Sequence, residues 1–140
     1  MENIRDLIPT RKPGVNLLDI DLTEQKLGVI FPEQYRGLIQ LVNNAEIGEW
    51  TLFPIKDYKN VKKTWDDIVR QNNEVRDERM PDNLIAIGDD GSGDKLCFKK
   101  RDKHLEDAVY LWNHETNTIE KYTSDLWGFI NLIADDFEKE

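Results

Sequence analysis

Apolar residues recur along this chain in two rhythms, and the rhythm changes mark the elements. Asn16 can cap a helix whose apolar positions include Leu17, Ile20 and Leu27, with Asp19 three residues after the cap and Gly28 suited to close it. Phe31-Pro32 restarts the chain, and Pro32 suits a first helical turn. Tyr35, Leu38, Ile39 and Val42 then fall at i, i+3, i+4 and i+7, predicting a second helix that ends near Asn43-Asn44. Val61, Trp65, Ile68 and Val69 predict a third helix over Tyr58 to Glu74, with Trp65 in or near the core. Ser124 can cap a closing helix with Leu126, Phe129, Ile130, Ile133 and Phe137 on one stripe, and Trp127 beside it.

Between these stretches the pattern is that of strands. Trp50 to Ile55 reads as a strand interrupted by Pro54, hence at an edge or a strand end. Leu84 to Ile87 and Lys95 to Phe98 face each other across the Gly88 to Asp94 turn. Arg101 to Asp107 is a charged loop, and Ala108 to Trp112 pairs with Thr118 to Tyr122 around an Asn113 to Asn117 turn. Consecutive strands joined by short turns predict an α+β fold: an antiparallel, twisted meander flanked by N-terminal, middle and C-terminal helices. Nothing divides the 140 residues, so one domain is expected, with residues 1–15 running over the surface.

Composition narrows the function. A chain that is 39% hydrophobic yet carries four Trp, five Phe and four Tyr has material for a core. A single cysteine, Cys97, precludes an internal disulfide and fits a reducing compartment. With no long apolar stretch and no leader at the start, a cytoplasmic protein free of the membrane is expected. The net charge of −9 has the wrong sign for gripping a phosphate backbone and the right sign for a basic protein partner. It also serves plain solubility.

Catalytic and metal-binding readings find little support. The Gly88-Asp89-Asp90-Gly91-Ser92-Gly93-Asp94 turn fails as a calcium loop, because Lys100 stands where an EF-hand requires Glu. It lacks the Lys-Ser/Thr pair of a phosphate cradle, and Ser92 lacks the G-x-S-x-G spacing. A structured hairpin turn and an acidic, partner-facing loop both remain open for it. His104, His114 and Cys97 show no ligand spacing: His104 reads as solvated, His114 as a turn residue and Cys97 as a small buried apolar group. Adjacent aspartates such as Asp66-Asp67 point apart on a helix, so they make a poor acid/base pair. Neither an enzyme nor a cofactor is expected. Trp50 and Trp112 sit at strand ends, where an indole can pack or anchor an interface; packing suits Trp112, and Trp50 fits both.

Several segments together resemble the SUKH superfamily, which includes the fungal cell-wall-synthesis regulator Smi/Knr and many bacterial immunity proteins. Leu27-Gly28-Val29-Ile30-Phe31-Pro32-Glu33-Gln34-Tyr35 is similar to its "L-G-x-x-L-P-x-x-Y" segment. Ile87 to Asp94 is similar to its "G-D-x-x-G-D" turn, and Val109 to Glu115 to its "V-Y-x-W-x-H-E" strand. Ser124 to Ile133 resembles its closing "S-F-x-x-F-L" helix, so the likeness runs from about Asn16 to Ile133 in the family's order. Phe31 replaces the usual Leu, and Asn43-Asn44-Ala45 stands where "N-G-G" is common, which implies a different loop there.

The resemblance implies an α+β binding domain without catalysis. It implies an immunity protein that neutralises a cognate toxin, a nuclease for preference, since a nuclease is basic around its substrate groove. On that footing Glu46, Glu49, Asp89, Asp90 and Asp94, with Trp50 as aromatic anchor, form the expected contact surface. Taken singly, each acid also reads as a solvated surface charge. The alternative is a regulatory or scaffold module of the Smi/Knr type, with no toxin.

Overall fold

The computed structural model describes residues 4–138, apart from the side chains of Phe137 and Glu138. Phe137 on the closing stripe therefore lies outside the described side chains. A short 3-10 helix, Ile4–Leu7, precedes α1 (Leu17–Leu27) and α2 (Glu33–Leu41). The Asn16 side chain accepts the Asp19 N–H at 2.9 Å, and Gly28 closes α1 in the left-handed conformation at φ 69°. Ile20 is fully buried, but Leu17 is exposed, so the inward face of α1 is narrower than its apolar content predicts. Pro32 stands just ahead of α2 rather than within its first turn. Tyr35, Leu38, Ile39 and Val42 are all buried, as their spacing predicts.

The N-terminal segment is more than a surface strap. Ile8 and Val15 are buried, and the Val15 N–H donates to the Ile39 carbonyl at 2.9 Å. A β-carbon on Gly14 would meet the Gln40 carbonyl oxygen at 1.9 Å, so the backbones of the strap and α2 touch there. Those contacts are long-range, and no local periodicity announces them.

After α2 come β1 (Glu46–Ile47), a strand the pattern did not predict, and β2 (Trp50–Leu52). The strand expected to reach Ile55 stops at Leu52, ahead of Pro54, which has no N–H to extend the ladder. The divergent loop before β1 is built on asparagine: Asn44 takes φ 63°, and the Asn43 amide both accepts the Ile55 N–H and donates to the Ile55 carbonyl, each at 2.9 Å.

The third helix is the largest departure. α3 covers only Ile68–Asn73, and residues 58–66 form turns in which Val61 and Trp65 are exposed. Three polar side chains divert the backbone from a longer helix. The Thr64 hydroxyl donates to the Asn60 carbonyl and accepts the Asp57 N–H, the Asp57 carboxylate accepts the Lys59 N–H, and Asp67 caps α3 through the Arg70 N–H.

The remaining elements are β3 (Leu84–Asp89), β4 (Lys95–Arg101), β5 (His104–Leu105), β6 (Val109–Asn113), β7 (Thr118–Thr123) and α4 (Leu126–Glu138). The charged loop thus contains a two-residue strand, which pairs with β4. Asp125 rather than Ser124 caps α4, accepting the Gly128 N–H at 2.8 Å. The seven-stranded antiparallel sheet runs β1-β2-β3-β4-β6-β7, with β5 beside β4, giving the α+β meander expected. In β3, Leu84 to Gly88 are all buried, so both faces of the sheet are covered there. Tyr35 lies edge-on to Phe31 and Phe98, with centroids 4.8 and 5.6 Å apart, and all three rings are buried. Burying each such side chain contributes roughly 1.5–3 kcal/mol. Trp112 is fully buried and donates its indole N–H to Asn117 Oδ1 at 2.8 Å, the packing role expected of it. No helix among the described residues is long and apolar enough to cross a membrane.

Candidate functional site

The acidic candidates gather at the end of the sheet where β1, β2, β3 and β4 lie side by side. Register aligns Glu46 with Thr51, Thr51 with Asp89, and Asp89 with Lys95. Directly paired residues of antiparallel strands project to the same face, so Glu46 and Asp89 share one. Glu46 is exposed, whereas Asp89 is half-buried with its carboxylate 3.5 Å from the Lys95 ammonium. Glu49 is exposed in the turn joining β1 and β2. Trp50 pairs with Ile47 and alternation turns both to the opposite, core-facing side, where Trp50 is only 8% exposed. Its register and burial give it a packing role, not that of an outward anchor.

The glycine-rich turn is stapled from within. Asp90 Oδ1 accepts the Ser92 N–H at 3.0 Å and the Ser92 hydroxyl at 2.6 Å, and Ser92 Oγ accepts the Asp94 N–H at 3.3 Å. Ser92 therefore donates to a carboxylate within its own turn, and among the described residues no histidine is hydrogen-bonded to it. Asp94 Oδ1 accepts the His114 backbone N–H at 3.0 Å and lies 2.6 Å from His114 Nδ1. Desolvation pushes the Asp94 carboxyl up, but the side-chain and backbone hydrogen bonds from His114 and the nearby Lys95 charge outweigh it and hold the group low. Gly93, at φ 116°, leaves no room for a β-carbon, which would sit 2.9 Å from His114 Cγ. Asp94 thus ties the turn to the β6–β7 end.

Two hollows adjoin this end of the sheet. One, of about 410 Å³, lies between the N-terminal strap, the β1–β2 hairpin and α4; Ile47, Ile130 and Ile133 contribute its apolar wall, and Asp6 and Glu46 are its carboxylates. The second, of about 260 Å³, is lined by Thr51, Phe53, Lys63, Trp65, Asp66 and Asp89 among others. Trp65 is 62% exposed, stacked against the Arg70 guanidinium at 5.1 Å from the ring centroid. It is therefore a surface aromatic, not the core residue that helical spacing predicts. The signal that could have found it is Asp67, an N-cap residue type that starts the helix after Trp65 and not before it.

Cys97 is buried, and desolvation pushes its thiol up to about 12, so it is an inert packing group. His104 is exposed in β5. The arrangement offers carboxylates, a turn fastened by its own side chains and two adjoining hollows.

The family model SUKH_5, described as SMI1-KNR4 cell-wall, matches residues 1–134. No curated protein matches the chain.

Proposed function

The chain belongs to the SMI1-KNR4 family, and on that premise we propose that it is a cytoplasmic immunity protein that neutralises a cognate toxin by protein–protein contact. The observation that carries this reading is that Glu46 and Asp89 share one face at the sheet end, with Glu49 exposed in the adjoining turn, on a chain of net charge −9. A nuclease domain presents cations where it grips nucleic acid. A matching field of carboxylates steers the two together and disfavours wrong partners. The protein acts by occupying a surface and not by catalysis.

The test is co-expression with the toxin encoded beside this gene. Growth rescue, together with a complex that weakens as salt rises, supports the reading. Combined reversal of the exposed Glu46 and Glu49 to Lys should weaken the complex about tenfold or more without unfolding the protein, since double-mutant coupling of close interface charges is worth about 1.5 kcal/mol upward. Binding unchanged by that reversal removes the sheet end from the proposal. Failure of rescue and binding favours the regulatory or scaffold reading.

A further inference from the structure

The segment between β2 and α3 is basic within an acidic chain, as is the stretch at residues 99–103, where Lys99, Lys100, Arg101 and Lys103 flank Asp102. Lys56, Lys59, Lys62 and Lys63 fall within eight positions that hold one acid, Asp57, although the whole chain carries −9. Among the described residues none of these four lysines forms an ion pair, whereas Arg36, Arg70, Arg79 and Lys95 each do. Lys59, Lys62 and Lys63 are exposed. Lysines left unpaired in a chain with a surplus of carboxylates keep their charge available.

The segment is also held in one shape. The Thr64 and Asp57 bonds that stop the helix fasten its two ends together, and the Tyr58 N–H donates to Asp19 Oδ2 at 3.3 Å, tying it to α1. Behind it lies a cleft of about 390 Å³ lined by Lys12, Asn43, Asn44, Asn60 and Lys63 among others. Lys12 reaches in to donate to Asn44 Oδ1 at 2.6 Å. A fixed loop loses less entropy on binding than a floppy one.

The aromatic rings decide between classes of anionic partner. Lys26 and Lys56 stand 5.6 and 5.4 Å from the Tyr58 ring centroid, and Arg70 lies over Trp65. Cations therefore occupy ring faces on which bases of a single strand would stack, and the net charge repels a polyphosphate. Carboxylate side chains need only the ammonium groups. We infer that the Lys56–Trp65 apron, with the cleft behind it, is a docking surface for an acidic, extended polypeptide segment of a partner. It goes beyond the proposed toxin contact and has the opposite sign. Asp66, at its border, does not neutralise it, being engaged by Arg70 at 3.2 Å and Gln71 at 2.8 Å.

The experiment uses the full chain and a fluorescein-labelled peptide of alternating Glu and Leu, with a Lys-Leu peptide and an oligothymidine as comparators. Anisotropy should report binding of the acidic peptide alone, weakening strongly between about 50 and 300 mM salt as the screening length shrinks. Lys59→Glu, Lys62→Glu and Lys63→Glu together should cost about tenfold or more in affinity, with an unchanged melting temperature because all three side chains are exposed. The Glu46→Lys, Glu49→Lys pair should leave that affinity intact. Amide shifts on titration should centre on residues 56–65, Lys12 and Asn44. Absence of peptide binding, equal binding by the triple variant, or preference for oligothymidine would overturn the inference.

Discussion

Asn72 and Ala86 are joined by two hydrogen bonds that imitate a strand. The Asn72 side-chain amide accepts the Ala86 N–H and donates to the Ala86 carbonyl, both at 2.9 Å. The last contact of the β2 side with β3 is the Phe53 N–H to the Ile87 carbonyl; Pro54 follows, and the neighbouring backbone groups of β3 lose their partner strand. A buried asparagine on α3 supplies the missing donor and acceptor, fixing helix to sheet.

Asn72→Ala should therefore destabilise the protein by about 2–4 kcal/mol, because two buried backbone groups lose their partners together. Asn72→Asp should also destabilise, since a carboxylate cannot donate to the Ala86 carbonyl. Urea unfolding monitored by tryptophan fluorescence measures both, and amide exchange should rise first at Ala86.

Tyr35 offers the converse case. Its hydroxyl is buried without a hydrogen-bond partner among the described residues, and burial drives its ionisation well above the usual range. Tyr35→Phe keeps both edge-on ring contacts and removes an unpaired polar atom, so stability should stay level or rise by about 1 kcal/mol. A clear loss of stability would mean that the hydroxyl has a partner.

The tryptophans should separate cleanly. Trp50→Ala removes a buried ring and should cost about 3–5 kcal/mol. Trp65→Ala loses only a surface stack on Arg70, worth about 0.5–1 kcal/mol. Thermal unfolding of the two variants decides it; equal losses would contradict the burial difference.

The Asp94–His114 contact should leave an acid signature. Asp94 is held below its ordinary value of 3.8, so the folded protein favours the carboxylate. That stabilisation is complete above about pH 4 and fades as acid protonates the group. Asp94→Asn should be less stable than the parent at pH 7, with the gap narrowing as pH falls below about 4. Asp77 is also held low, at about 2, chiefly by its hydrogen bonds from Arg79, so the Asp94→Asn comparison with the parent is what separates the two carboxylates.

Much of the fold was legible because the deciding interactions are local. The Asn16 cap, the Gly28 stop and the i, i+3, i+4, i+7 face of α2 each involve neighbours within two turns. The hairpins around Asp90–Asp94 and Asn113–Asn117 follow from turn residues flanked by apolar strands. The stretch from Tyr58 to Trp65 was misread for a reason of the same kind. Its apolar spacing competes with Asp57, Thr64 and Asp67, whose side chains offer the backbone closer partners than a helix does.

By itself, then, the sequence determined the α+β meander, three of its four α-helices, the acidic charge and the family, because periodicity, caps and turn chemistry act over a few residues. Tertiary structure alone decided which tryptophan is buried, that Ile8 and Val15 join the core, that Asn72 completes β3, and that Glu46 and Asp89 share a face. Those outcomes depend on strand order and on which faces are covered, and spacing along one chain carries no record of what packs against it.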